Sequence, residues 1–590
     1  MLTYSQVNEI IGIATFERKS PIITPRSLNM EWRGGIEPRH GLGHLQTVFD
    51  DEADRALFEG GVVQKVQPYQ PYGLNPGGLA ILISGTLFFG SISGRWMYVS
   101  KLFEGLRPDL TLGWGVQAFE WLIIQNGVDR PIIWDGHDPA FQSKPEELEM
   151  PIGSMMAFIH HQVAVASSDG TDKIAVSDRW RQSESENLWH FTGTPTWADG
   201  GVFGLHINMG KLMNMCPMTQ IKQTPNGQGD LLLIGSNGAQ TLNLQVPVAE
   251  RINSQIQDTA MVGQGSASYL GAIPHKAGIW YIGHDGLHEF KHGQNDFYRS
   301  DADIHESADI QYYWDNSNSL MRPVQPLGQY NNKILIGLYP EMGRNDFGFH
   351  RYHRAWAAVD LSEKWREGVK LPKRWNGLQC GIRPVEWANL IINRIERTYC
   401  MSFDADGVNR VYEFTNHLTY DLIEGEPKPI VSFFDTPPLV GQKGVQLVVK
   451  RPAKVKIDYE AAVGNVAIDL DVRGENETCW STWGGFCARP TSDVCEHPCA
   501  ITPEHRGSKP IGDPKPIPCF SPPPTSLRSR VRMTGRARIQ NMIFGLDVAK
   551  DVSPDGFSHE IFLDSCGSCS DAPRASAQCC EELGIYSIQP

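Results

Sequence analysis

His288-Glu289-Phe290-Lys291-His292 spells H-E-x-x-H, the pattern with which zinc metalloproteases hold a metal and a general base. That chemistry needs a helix, where residues four apart share a face and grip one ion. Here the run follows GIWYIGHDG, an apolar strand closing in an Asp285-Gly286 turn, and Gly293 comes directly after the second histidine. On a strand, two residues four apart sit about 13 Å from each other, too far for one zinc. Glu306 is a candidate third ligand that nothing in the pattern positions. The match reads as coincidence.

Other local patterns fail on spacing. Gly204 to Lys211 spells GLHINMGK, with one residue too many between the glycines for a phosphate loop and Leu212 where Ser or Thr belongs. Gly263 and Gly265 lack the third glycine of a dinucleotide fingerprint, and Ser91 and Ser93 flank Ile92, which holds the nucleophile position of G-x-S-x-G. His160 and His161 lie in an apolar run, which predicts one core and one surface histidine on a strand. No catalytic residue, cofactor site or metal site is expected, and the chain is read as a non-enzyme.

The cysteines are unevenly placed. Cys479, Cys487, Cys495, Cys499 and Cys519 fall in a Pro-rich stretch, and Cys566, Cys569, Cys579 and Cys580 lie near the end. Cys566-Gly-Ser-Cys569 with Cys579 and Cys580 has the donors for a tetrahedral zinc. Disulfides suit loops with little apolar core of their own and are the favoured reading, with free thiols a third. A cytoplasm keeps thiols reduced, so disulfides imply oxidation after release from the cell. Arg528, Arg530, Arg532, Arg536 and Arg538 cluster around Met-Thr-Gly, with the first three on one strand face. Two readings stand: a solvated strand face or one paired with the chain's own acids, and a contact with an acidic neighbouring subunit.

The elements that hold these residues are mostly strands. Of 590 residues, 58 are Gly, 39 Pro and 16 Trp, a mixture that favours short strands and turns. A net charge of −14 argues against a protein that binds nucleic acid by neutralising phosphates. The N-terminus shows no secretory pattern, and the longest apolar stretch, Gly78 to Gly90, is too short for a membrane helix. The expectation is a soluble chain made in a cytoplasm.

Between about residues 79 and 416 one unit recurs: an apolar run, a Gly, Asp or Asn turn, then a second run with aromatics. Asn126-Gly127, between AFEWLIIQ and DRPIIWDG, is its sharpest turn. Such units recur in propellers, because one small sheet cannot cover both its faces and must stack on neighbours. The fold class is therefore all-β: a β-propeller of six to eight degenerate blades over 66–444, with several unrelated β-sandwiches as the alternative. Residues 1–65 are read as an arm or first blade strands. Beyond 445 the texture changes to clean alternation, Val455, Ile457 and Tyr459, then Val466, Ile468, Leu470 and Val472. This predicts a hairpin turning at Gly464-Asn465, in a C-terminal β-sandwich over 445–590 with a Cys/Pro-rich insertion at 474–526.

From Gly278 to Trp365 the residues carry a resemblance. GIWYIGHDGLHEFKHG, then QYYWD, NNKILIGLYP and RAWAAVDLSEKW, with Trp280, Asp285-Gly286, Val359, Asp360 and Trp365 at the matching positions, is similar to the β-propeller virion proteins of tailed bacteriophages. The head-to-tail stabilisation and tail nozzle proteins of short-tailed phages are the nearest in texture. Tyr281 is an insertion in that pattern, and the cysteine-rich stretch departs from it. The resemblance implies a structural protein of the virion, assembled in the host cytoplasm. It implies a homo-oligomeric ring among portal, adaptor or tail components that joins rings and retains or passes DNA. Contact with DNA in transit would be passive, with no sequence-specific nucleic acid and no membrane segment. Two rivals remain: a tail-tip adhesin that stacks a host ligand on Trp96, Trp114 or Trp197, and a propeller glycoside hydrolase, which needs two carboxylates about 5–10 Å apart.

Overall fold

Leu231–Gly235 (LLLIG) and Gly78–Ile83 (GLAILI) are buried at every position, not at alternate ones. A strand buries both faces only when other sheets cover both, and stacked blades do this. The computed structural model describes most of residues 2–548; the longer stretches outside the description are 8–26, 181–190, 192–199, 219–228, 247–256, 303–313, 440–449, 489–506, 512–523 and 549–590.

Among the described residues, seven small antiparallel sheets follow one another along the chain. Their first strands are Val63–Tyr69, Trp114–Ala118, Gly153–Ile159, Leu212–Pro217, Ala272–His275, Leu327–Tyr330 and Pro384–Ile392. Each lies beside the next, and the seventh lies beside the first, so the ring closes. The protein is a β-propeller with seven blades in this order. Six are separate sheets, and the sixth in sequence is part of a larger, 13-stranded one. Blades two to five each use four consecutive strands.

The N-terminal segment is woven into both parts of the molecule. It contains strands β1 (Leu2–Val7), β2 (Ser27–Leu28), β3 (Met30–Trp32), β4 (Ile36–Pro38), β5 (Leu42–His44) and β6 (Gln46–Phe49), then helix α1 (Glu52–Gly60). Strand β5 pairs with Asn409–Phe414 and becomes the fourth strand of blade seven. Strand β6 runs parallel to Trp96–Glu104 and adds a fifth strand to blade one. Helix α1 begins with Asp51 accepting from the Ala53 N–H and buries Phe58 between these two blades. Within residues 1–65, β5 and β6 are blade strands.

The second part is built on two long strands, Lys450–Gly474 and Leu527–Val548, paired along most of their length. Both bend where the register shifts between Glu460 and Ala467, and Gly535 supplies a positive φ of 84° there. The predicted hairpin at Gly464-Asn465 does not form. Instead the Lys450–Gly474 strand continues through the bend, and its two alternating stretches face one core from two layers. Val455, Ile457, Val466, Ile468, Leu470 and Val472 share that core with Met542, Phe544, Leu546 and Trp483. The period-2 pattern gave the faces correctly, but a bulge and a turn look alike in such a pattern.

Strand β2 joins the two parts. It pairs with Arg374–Gln379 of blade six on one side and with Val431–Asp435 on the other, which in turn pairs with Leu527–Val548. One hydrogen-bonded sheet thus runs from the propeller into the sandwich.

Candidate functional site: the ring closure

Among the described residues, the seams between blades one to six include apolar packing and neutral hydrogen bonds, with Arg179 Nη2 also donating to the Leu244 carbonyl at 3.1 Å. Gln117 and Gln70 exchange two of them between blades one and two, each 2.7 Å. Gly153 N donates to Gln125 Oε1 at 2.7 Å between blades two and three. Asn214 Nδ2 donates to Ser266 Oγ (2.8 Å) and to the Ser268 carbonyl (2.7 Å) between four and five.

The closure is built differently, with buried charge. Glu386, on the first strand of blade seven, takes Lys65 Nζ at 2.5 Å on one oxygen and Arg351 Nη2 at 2.7 Å on the other. The Val66 N–H of blade one also donates to it. Arg351 comes from the Gly348–Asp360 strand of blade six and donates to the Val63 and Gln64 carbonyls of blade one. Three blades therefore meet on one carboxylate. Burial works against its charge, but Lys65 and Arg351 outweigh that and hold Glu386 below the usual carboxylate range. Nearby, burial lowers His350 to about 4, with its ring stacked on Phe403 at 3.8 Å. It lowers His353 to about 3, with Arg351 adding to the effect.

The N-terminal segment is pinned by a second set of charges. Arg39 makes a two-pronged contact with Asp421 at 2.7 and 2.6 Å, donates to the Cys380 carbonyl at 2.8 Å and lies over Trp356. Asp421 also accepts from the Leu42 N–H, which seats β5. Gly41 packs so tightly on blade seven that a Cβ there would lie 1.8 Å from the Tyr420 carbonyl oxygen. A cleft beside these groups is lined by Glu31, Lys333, Tyr330, Trp356 and Thr415. Lys333 bridges to Glu31 at 2.8 Å, and the Tyr330 hydroxyl donates to the Thr415 carbonyl, so the cleft's polar groups serve the seam.

The structure sorts the residues singled out in the sequence. His288 lies on strand Leu287–His292, with its Nε2 2.6 Å from Asp285 Oδ1, so H-E-x-x-H falls on a blade strand and not a helix. Among the described residues, no group of three metal-ligating side chains occurs. His160 and His161 are a two-residue turn with φ of 51° and 63°, not part of a strand. His160 is buried with Nε2 2.7 Å from the Gly229 carbonyl, and His161 is exposed beside Phe119. Asn126 Oδ1 caps a wider turn by accepting from Val128 N and Asp129 N.

The arginine cluster pairs within the chain. Arg530 meets Asp435, Arg532 meets Asp471, and Arg538 meets Glu37 and Glu460. These contacts favour the reading in which the chain's own acids satisfy that face. Trp480 sits between the guanidinium groups of Arg473 and Arg530, at 4.6 and 4.4 Å. Cys487 is on strand Ser481–Ala488, where it pairs with Ala467, and its side chain lies outside the described residues. Cys479, Cys495, Cys499, Cys519, Cys566, Cys569, Cys579 and Cys580 lie outside them altogether, as do Glu306 and Trp197. Cys216, Cys380 and Cys400 are buried, and burial pushes the Cys216 thiol up to about 12. Trp114 packs against Tyr269 between blades, and Trp96 is 47% exposed.

The charged closure escaped the sequence reading. Lys65, Arg351 and Glu386 are far apart in the chain and carry no spacing signal. Arg39 and Asp421 are separated as widely.

The fold and this seam define a β-propeller closed by N-terminal strands and continuous with a second β domain. No protein-family model matches the chain, and no curated protein matches it. Among solved structures, the chain is similar to YCF48 bound to D1 peptide, with 10% identity and a TM-score of 0.33 over 62% of this chain and 94% of that one. It is similar to YCF48 from Cyanidioschyzon merolae, with 11% identity and a TM-score of 0.33 over 60% and 96%. A chain of the mitotic checkpoint complex gives 10% identity and a TM-score of 0.34 over 68% and 99%.

Proposed function

We propose that this chain is a non-enzymatic structural protein of a tailed-phage virion, in the head-to-tail connector or the tail, of nozzle or adaptor type. It works as a homo-oligomeric ring that joins neighbouring rings, retains DNA and lets it pass. The observation that carries the reading is the sheet continuous from blade six through β2 into the sandwich. A load applied to one part is borne by strands hydrogen-bonded side by side into the other, which suits a part that transmits force. The sequence resemblance over Gly278 to Trp365 supports the virion assignment, and the net charge of −14 suits a channel that passes DNA without gripping it.

The test is the mass of the purified protein by light scattering, together with its abundance in intact particles. A multiple near six or twelve with enrichment in virions is the expected result. A single-chain mass and absence from every particle would overturn the proposal.

Trp96 and Tyr98, exposed two apart on strand Trp96–Glu104 of blade one, favour a second reading, the adhesin that stacks a host ligand. Binding of the isolated protein to host cells, lost in Trp96→Ala, would support it.

A further inference from the structure

The Leu527–Val548 strand is the spine of the second domain, and its two edges are covered unequally. One edge runs along Lys450–Gly474. The other is covered in turn by Val431–Asp435 at residues 530–534, by Ile36 of β4 at Ile539, and by β1 at residues 542–547. The third stretch cannot be left bare. Met542, Phe544 and Leu546 are core residues there, and an open edge beside a core leaves backbone donors and acceptors without partners and ready for any free strand.

Its cover is attached differently from strands β2 and β5. Strands β2 and β5 are each held between two strands, and the segment from Arg39 to Leu42 is fixed by Asp421. Among the described residues, β1 pairs with the spine strand only. It is also separated from β2 by residues 8–26. Extended, that connection reaches roughly 60 Å. Staying within one chain needs less. Val7 pairs at Met542, and β2 reaches the spine near Val531 through Phe434, a separation of roughly 35 Å along the strand at about 3.3 Å per residue. A strand bound along one edge and tied by a connection longer than it needs has the form of an exchangeable element.

We propose that β1 is a donated strand: in the assembled protein it covers residues 542–547 of a second copy of this chain, whose own β1 passes to the next copy. This deepens the ring reading above and rests on it. A head-to-tail exchange of this kind is heterologous, and it closes into a ring when the rotation between copies allows.

The experiment uses the full chain with a cysteine pair across the β1 register, Gln6→Cys opposite Ile543→Cys. A chain carrying Gln6→Cys is assembled with a longer, tagged chain carrying Ile543→Cys and oxidised. Linked peptides are then identified by mass spectrometry to set them apart from native cysteines. The expected result is an adduct between the two chains, and a ladder of multimers from the double variant. Deletion of residues 2–7 is expected to reduce the assembly to single chains while the propeller's melting is unchanged.

A double variant that links only within itself, in a protein whose scattering mass is still a ring, overturns the exchange and leaves the ring reading standing. A single-chain mass before any substitution, with the link again internal, overturns both. An unchanged assembly mass after deletion also overturns the exchange.

Discussion

Blades two to five and the closure between blades six, seven and one solve the same packing problem with different means. In the first region each blade is four consecutive strands, and its described seams are mainly apolar side chains with amide, hydroxyl and backbone links. In the second, strands from both ends of the chain share one sheet, and the seam carries Glu386 between Lys65 and Arg351 and Asp421 beneath Arg39. Apolar packing is tolerant of which blade meets which. A buried carboxylate is not, because any arrangement that leaves it without its cations costs several kcal/mol. The contrast shows where this fold needs specificity: at the one seam that joins distant parts of the chain.

Four experiments break or sharpen that contrast, from the largest expected effect to the smallest. Arg39→Ala strands Asp421 in a buried site and is expected to cost about 3–5 kcal/mol in chemical unfolding. The pair Arg39→Met with Asp421→Leu is expected to recover most of that loss. Equal losses in the single and double variants would show that shape, not charge, secures β5.

Glu386→Gln leaves two cations facing a neutral amide and is expected to cost about 3 kcal/mol, against about 1 kcal/mol for Gln125→Ala at the seam between blades two and three. Similar values for the two would erase the distinction between charged and neutral seams.

His350 and His353 lie beside the closure with folded-state values of about 4 and about 3, below the ordinary 6.5. A lowered histidine contributes stability that is present above its unfolded value and lost as pH falls towards its folded one. The unfolding free energy from urea titration should therefore fall from pH 6.5 towards pH 4, by up to about 1.4 kcal/mol per pH unit for each histidine. His353→Leu should flatten the slope, and a slope unchanged by it would assign the effect elsewhere. Ile207, 89% exposed on the propeller, is the control: Ile207→Ser should change stability by no more than about 0.5 kcal/mol.

Much of the architecture was legible because blade strands are local. Runs such as LAILISGTLFFG and DLLLIGSNGAQTLNL place two strands and their turn within a few residues, so the repeat and the propeller class follow from the sequence. The alternation at Val455 to Val472 likewise gave the faces of the sandwich strands. What escaped was everything set by distant pairing. That β5 belongs to blade seven depends on residues 409–414, and no periodicity in three residues records it. Gly464-Asn465 is turn chemistry, so the alternation predicts a turn where Lys450–Gly474 has a bend that its partner strand shares. For the arginines, alternation predicted a shared face but not the acids Asp435, Asp471, Glu37 and Glu460 that meet it.

The place of β5 in blade seven also sets a timetable for the nascent chain. Residues 42–44 leave the ribosome early, but their partners at 409–414 and 422 are made several hundred residues later. At roughly 5–20 residues per second, that is a wait of roughly 20–75 seconds. Blades two to five can stack on one another as they emerge, while the first strands wait as open edges for the last blade. The propeller therefore cannot close before the chain reaches its second domain, and the interval before closure is when two neighbouring nascent chains are most exposed to pairing with each other.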